Sequence, residues 1–221
     1  MSAATSPRPE AESELESASD VKPEMPRVRR QRRVLPAEVR TGHLIAAAAE
    51  LFLSKGLDAT TVDDIAARAG VAKGTFYHYF TTKADVLLAL RARFSQDFNS
   101  RAQAAIDACA PDDHHARFRA WLRGAVSAYV ANFRLHDVVF HDFTHDRRRS
   151  QEKDMVIDQL AALLEAGQKA GAWNLPDTRA AAFILFDGMH GVVDDAIASA
   201  RLDPEPLCEI LEEMLGRMLT R

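Results

Sequence analysis

From position 36 onward apolar residues recur every three or four positions, and no stretch alternates apolar with polar as a half-buried strand would. The spacing predicts helices over about residues 37–55, 83–108, 114–134, 136–148, 151–170, 178–199 and 205–219, with two short ones between 60 and 80. Leu44, Ala48, Leu51 and Phe52 line the inner face of the first, which stops at Gly56. Breaks fall at Pro111-Asp112-Asp113, at Gly171 and at Asp203-Pro204. The expected fold class is therefore all-α. Residues 1–33 carry few apolar positions and read as a disordered tail.

The stretch TTVDDIAARAGVAKGTFYHYFTTKADVLLAL, residues 60–90, is the most specific part of the chain. Thr61 with Asp64 three positions on can cap a helix, and Val62, Ile65, Ala66 and Ala69 share one face of it. Gly70 permits a tight turn that Val71 plugs. The next helix turns Phe76 and Phe80 inward and leaves Lys73, Thr75, Tyr77 and His78 elsewhere. Thr82 with Asp85 opens the following helix beside Lys83, and the positive end of a helix favours a phosphate. Two short helices about a glycine turn make a helix-turn-helix, which lays one helix in a DNA major groove.

Together with the preceding HLIAAAAELFLSKG, this stretch resembles the DNA-binding domain of the TetR family of bacterial transcriptional regulators. The resemblance implies a three-helix DNA-binding domain at residues 34–83 and a six-helix ligand-binding and dimerisation domain at 84–221. It also implies operator contacts at Lys73, Gly74, Thr75, Tyr77 and His78, with Arg40, Thr61 and Lys83 on phosphates. The family often has a capping residue before the recognition helix; here Ala72 stands there, and a missing cap costs about 1 kcal/mol. The partners implied are a double-stranded DNA operator, a second copy of the chain and an effector. Effector binding would shift the long helix from Lys83 and so change the separation of the two recognition helices.

Net charge is −4, which would count against nucleic acid if it were evenly spread. It is uneven: residues 27–83 carry ten Lys/Arg against five Asp/Glu, whereas residues 1–26 carry two against six. The excess sits largely in RVRRQRR, residues 27–33, which reads as an arm for phosphates or a minor groove. Cys109 and Cys208 lack CxxC spacing and read as reduced thiols. No apolar run is long enough to span a membrane and the N-terminus is no secretory signal, so a cytoplasmic protein is expected. There is no HExxH, phosphate loop or nucleophile elbow, and an enzyme is not expected. The alternative is a DNA-binding factor without a small-molecule effector, architectural or controlled by a partner.

In the C-terminal half, Phe183, Phe186, Met189, His190 and Val193 recur at helical spacing near Gly188 and Gly191, which would permit close approach of a partner helix. Leu207, Ile210, Leu211, Met214 and Met218 give the last helix a stripe of its own; two helices from each of two protomers would make a four-helix interface. Two effector chemistries stand open. Asp137, His141 and His145 share one helix face, and Asp187, His190 and Asp194 share another, a donor set suited to a divalent ion such as zinc or nickel. Alternatively, Trp121, Tyr129, Phe133, Phe140, Phe143 and Phe186 line an apolar site for an organic ligand.

Overall fold

The computed structural model describes residues 36–140 and 151–219. Among them the chain forms eight helices and no strand: α1 (Ala37–Lys55), α2 (Val62–Arg68), α3 (Lys73–Tyr79), α4 (Lys83–Asp107), α5 (His114–Phe140), α6 (Gln151–Lys169), α7 (Thr178–Ala198) and α8 (Pro204–Leu219). The basic cluster at 27–33, the tail before it, and His141, Phe143 and His145 lie outside the described residues.

The start and stop signals act where local chemistry requires. Thr61 Oγ1 accepts from the Asp64 backbone while the Asp64 carboxylate accepts from the Thr61 backbone, and Thr82 with Asp85 repeats the arrangement at α4. Gly70 turns the chain between α2 and α3 at φ +69°, the left-handed region that a side chain resists. Ala72 has the extended backbone of a cap, but no side chain bonds the first turn of α3.

One element boundary differs from the sequence expectation. Helices over 114–134 and 136–148 were expected to part near residue 135. Instead α5 continues to Phe140 and is kinked at Asn132, whose φ of −126° and ψ of 17° are not helical. The Asn132 amide donates to the Ala128 carbonyl at 2.9 Å. A short polar side chain that bonds nearby backbone competes with the helical ladder, so the bend falls at the asparagine without a proline or glycine.

Apolar packing separates into two cores. The smaller is built from Leu44, Ile45, Ala48 and Phe52 of α1, Ile65 and Ala66 of α2, Phe76 of α3, and Val86, Leu87 and Leu90 of α4. Val139 joins it, with Leu135, Val138 and Phe140 packed alongside, so the end of α5 beyond the kink belongs to the helix-turn-helix side. The larger core holds the rest of α5 with α6, α7, α8 and the distal half of α4. Two long helices, α4 and α5, thus contribute to both cores. After α6, Trp173 folds back so that its indole N–H donates to the Leu164 carbonyl at 2.7 Å.

The last helix corrects its expected stripe. Leu207 and Leu211 are buried in the protomer core together with Cys208, Leu215 and Leu219. Ile210, Met214 and Met218 remain 49%, 60% and 44% exposed. The inward face is rotated toward Cys208 and Leu215, which divides the stripe between two surfaces. On α7, Met189 and Val193 are buried and Phe183 and Phe186 pack against the same core, so that stripe faces its own protomer. Its outward positions are Ile184, at 57% exposure, with Gly188 and Gly191. A Cβ at either glycine would meet nothing within 4 Å, so among the described residues nothing covers them.

Candidate nucleic-acid interface and the aromatic cluster behind it

Helix α3 buries one side chain, Phe76, against the small core. Tyr77 stands edge-on to it with ring centroids 5.5 Å apart and is 52% exposed. Lys73, Gly74 and His78 are also exposed, and Thr75 is half-buried. His78 packs edge-on against Tyr79 at 5.3 Å. The five residues expected to contact the operator therefore lie on a seven-residue helix anchored by the buried Phe76, with Tyr79 packed beside it against the same core. A helix so mounted presents side chains and a glycine backbone outward, as entry into a groove requires.

The expected phosphate contacts are placed differently from one another. Thr61 is exposed and occupied as the cap of α2. Arg40 is half-buried on the first turns of α1. Lys83 turns back into the protein: its ammonium donates to the carbonyls of Leu57, Asp58 and Thr60 at 2.5, 3.1 and 3.0 Å. An ammonium has three N–H donors, so this contact uses all of them. The other cations nearby have carboxylate partners. Lys55 bonds Asp64 at 2.7 Å, Lys73 bonds Asp63 at 2.9 Å, and the Arg68 guanidinium bonds Glu50. Lys55 and the Thr61 hydroxyl hold the Asp64 carboxyl well below its ordinary range, and the bond to Asp63 raises Lys73 above its own.

Behind this domain the aromatic residues expected to line an effector site separate into two groups. Trp121 is fully buried in the large core, and among the described residues its indole nitrogen has no hydrogen-bond partner. Phe133 packs against that core and is half-buried. Tyr129, Phe140 and Phe186 are instead joined through two histidines. Ring centroids run Phe186 to His190 at 4.1 Å, His190 to Tyr129 at 4.9 Å, Tyr129 to His136 at 4.2 Å and His136 to Phe140 at 4.8 Å. Phe94 of α4 closes the series 5.9 Å from Phe140. Sequence reasoning missed Phe94 and His136; the signal for the latter was its i, i+4 spacing from Phe140, hidden because residue 136 was read as a helix start.

The same cluster accounts for the residues expected to bind a metal. The His190 Nδ1–H donates to the Phe186 carbonyl at 3.0 Å, and burial lowers the pKa of its imidazole against the opposing effect of that carbonyl. Asp194 accepts the Tyr129 hydroxyl; burial, then this bond, push the phenol well above its ordinary value. Asp187 pairs with Lys153 at 2.6 Å. Asp137 lies 4.0 Å from the His136 Nδ1. Among the described residues no group of three or more His, Cys, Asp or Glu is placed to hold a metal ion. The set read from spacing is thus not assembled from its described members: Asp187 is directed to a lysine, and His190 into the aromatic cluster.

Comparison with known proteins is consistent across sequence and structure. Residues 44–90 match the family model described as bacterial regulatory proteins, tetR family. The chain is 38% identical over 140 residues to the HTH-type transcriptional repressor KstR2 of Mycobacterium tuberculosis, a match covering 58% of this chain and 68% of that one. It is 33% identical over 137 residues to the HTH-type transcriptional activator FasR of Mycolicibacterium smegmatis, covering 62% of this chain and 57% of that relative. A solved protein of unknown function from Rhodococcus sp. RHA1 superposes with a TM-score of 0.73 at 19% identity, over 86% of this chain and all (100%) of that one. That last likeness concerns the fold.

Proposed function

We propose, from the premise that this chain belongs to the TetR family of bacterial regulatory proteins, that it acts as a homodimeric repressor released from its operator by an organic effector. The observation that carries the DNA-binding part is α3, which buries Phe76 alone and leaves Lys73, Gly74, Tyr77 and His78 outward. Thr75, Tyr77 and His78 are the side chains proposed to read base edges, while Thr61 and Arg40 fix register on the backbone.

A dimer is favoured by the outward positions Ile184, Gly188 and Gly191 of α7 and Ile210, Met214 and Met218 of α8, which no other described residue covers. Two copies joined there would present two α3 helices, and only a separation of about 34–36 Å fits successive major grooves. The effector is proposed to act at the Tyr129, His136, Phe140, Phe186 and His190 cluster. These residues belong to α5 and α7, and Phe94 and Phe140 link them to α4 and the small core. A ligand that parts these rings would move α4 and the end of α5, and with them the mounting of α3.

The test is selection of duplexes from a random library with the full chain, followed by affinity measurement on the recovered sequence. The expected result is a two-fold symmetric site. Tyr77→Ala should weaken binding by about tenfold or more, and His78→Ala should change the preferred bases, since a specific base contact is worth about 1–3 kcal/mol. Recovery of no common sequence would overturn the reading. Transcription from a promoter carrying that site, with and without the protein, separates repression from activation.

A further inference from the structure

One ion pair differs from the rest in burial and in what it joins. Arg91 of α4 stands 3.4 Å from Glu152 in the first turn of α6, and the two side chains are 17% and 16% exposed. It is also the one described ion pair that ties α4 to another helix. The contact is incomplete: among the described residues the buried Arg91 Nε has no hydrogen-bond partner. The guanidinium lies over the Phe140 ring, 4.8 Å from its centroid. A buried pair of this kind adds little to stability, because desolvation offsets the attraction. Its best-attested use is to fix one register among several.

Register needs fixing here because the seam between α4 and α6 is polar. One turn beyond Arg91 comes Ser95, which is buried, and one turn beyond that comes the half-buried Asn99. The Gln159 amide of α6 donates to the Asn99 carbonyl at 3.0 Å and to the Gln103 side-chain oxygen at 3.2 Å. Asn99 Oδ1 and Gln159 Oε1 are buried without a partner among the described residues. Together with Arg91 Nε, these are polar atoms of one seam left unsatisfied, and each unmade buried hydrogen bond is costly. Such a seam is not held by its own contacts. Its polar partners can be exchanged by a shift of about 1–2 Å, the size of the helix shifts that switch other interfaces. At its start α4 is knitted by Val86, Leu87 and Leu90 into the small core that carries α3. A shift along the seam therefore moves α3.

Resting on the two-fold operator-binding reading above, we propose that Arg91 and Glu152 are positioning residues for operator binding. Their pair is the catch that holds α4 at one place on α6, and so sets the separation of the two α3 helices. The catch opens from the effector side. Lys153, next to Glu152, pairs with Asp187 and lies 5.4 Å from the centroid of the Phe186 ring. One turn of α6 thus meets the aromatic series at both ends: at Phe186 through Lys153, and at Phe140 through the guanidinium that Glu152 faces. A ligand that parts those rings lifts this turn and takes Glu152 from Arg91. Neither residue touches DNA.

The experiment compares binding to two labelled duplexes by fluorescence anisotropy: the symmetric sequence recovered by selection, and a duplex that keeps one of its half-sites. Arg91→Met combined with Glu152→Met replaces the pair by apolar side chains of similar size, which should leave the melting temperature unchanged or higher. Affinity for the symmetric duplex should fall about fivefold or more, the lower end of usual coupling between sites. The reason is that only the fraction of protein with the fitting separation holds both half-sites. Affinity for the half-site duplex should stay as in wild type, which a general loss of structure would not allow. Glu152→Gln, which removes the charge at nearly constant size, should act in the same direction and decides the matter if the double variant folds poorly. Symmetric-site affinity unchanged or raised in a folded variant would overturn the inference, as would an equal loss on both duplexes. A wild type that binds the symmetric duplex no better than the half-site duplex would instead remove the two-fold reading itself.

Discussion

The indole ring of Trp173 lies over the backbone of Gly167, so close that a Cβ there would stand 2.1 Å from the ring. Gly167 is buried on α6, and the same indole donates its N–H to Leu164 one turn earlier. The α6–α7 connection is thus held by an aromatic ring seated where only a glycine leaves room. Gly167→Ala should destabilise the protein by about 1–3 kcal/mol, the usual cost of overpacking a core. Urea unfolding followed by tryptophan fluorescence gives the number. A midpoint unchanged from wild type would show that the ring can leave without loss.

The second expectation concerns pH. Burial among Tyr129, Phe186 and His136 lowers the pKa of His190 from an ordinary value of about 6.5. Asp194, Asp187 and the Phe186 carbonyl act the other way, and Lys153 acts with burial. A depressed histidine is neutral in the fold while the unfolded chain takes up a proton. Its contribution to stability is therefore complete above about pH 6.5 and is lost as pH falls through the lower folded value. Denaturation at pH 7.5 and 5.5, wild type against His190→Gln, isolates this group by difference. The wild type should lose more stability on acidification than the variant; equal losses would show that His190 stays protonatable in place.

How much of this was legible in sequence depends on how local each cause is. The two capping boxes, Thr61 with Asp64 and Thr82 with Asp85, and the turn at Gly70 were readable because their partners lie three or four residues apart. The inward position of Phe76 followed from helical spacing. Lys83 was not readable: its partners are the carbonyls of Leu57, Asp58 and Thr60, more than twenty residues away, and backbone oxygens carry no sequence signature. Nor was the seat of Trp173 on Gly167, since a mid-helix glycine usually reads as a weakness of the helix. The metal set was a matter of periodicity, and periodicity did not tell that Asp187 would meet Lys153 and Asp194 the Tyr129 hydroxyl.

Capping gives a paired prediction of opposite sign. Thr82→Ala removes an acceptor that the Asp85 backbone uses and should cost about 1 kcal/mol. Ala72 already has the extended backbone of a cap, with φ −71° and ψ 150°. Ala72→Ser should therefore stabilise the domain by about 0.5–1 kcal/mol by supplying the missing acceptor. Thermal melts of the two variants check both signs. A loss of stability in Ala72→Ser would mean that the serine hydroxyl bonds elsewhere.

The final prediction uses the divided surface of α8, where neighbouring apolar residues have different duties. Leu211 is 2% exposed and belongs to the large core; Met214, three residues on, is 60% exposed. An aspartate at 211 would bury a carboxylate without a partner inside the protomer, a cost of several kcal/mol. Leu211→Asp should therefore lose helicity and melt early whatever its association state. Met214→Asp places the charge in water when the protomer is alone, so the protomer should keep its helicity. In a dimer joined through this face the same carboxylate would be buried against the partner, and association should weaken by a similar several kcal/mol. Light scattering on the eluting protein should then report a dimer for wild type and a monomer for Met214→Asp. The variant should also bind a two-fold symmetric duplex far more weakly, because one half-site at a time must be held without its neighbour. A Met214→Asp protein that remains dimeric with normal operator affinity would place the interface on another surface.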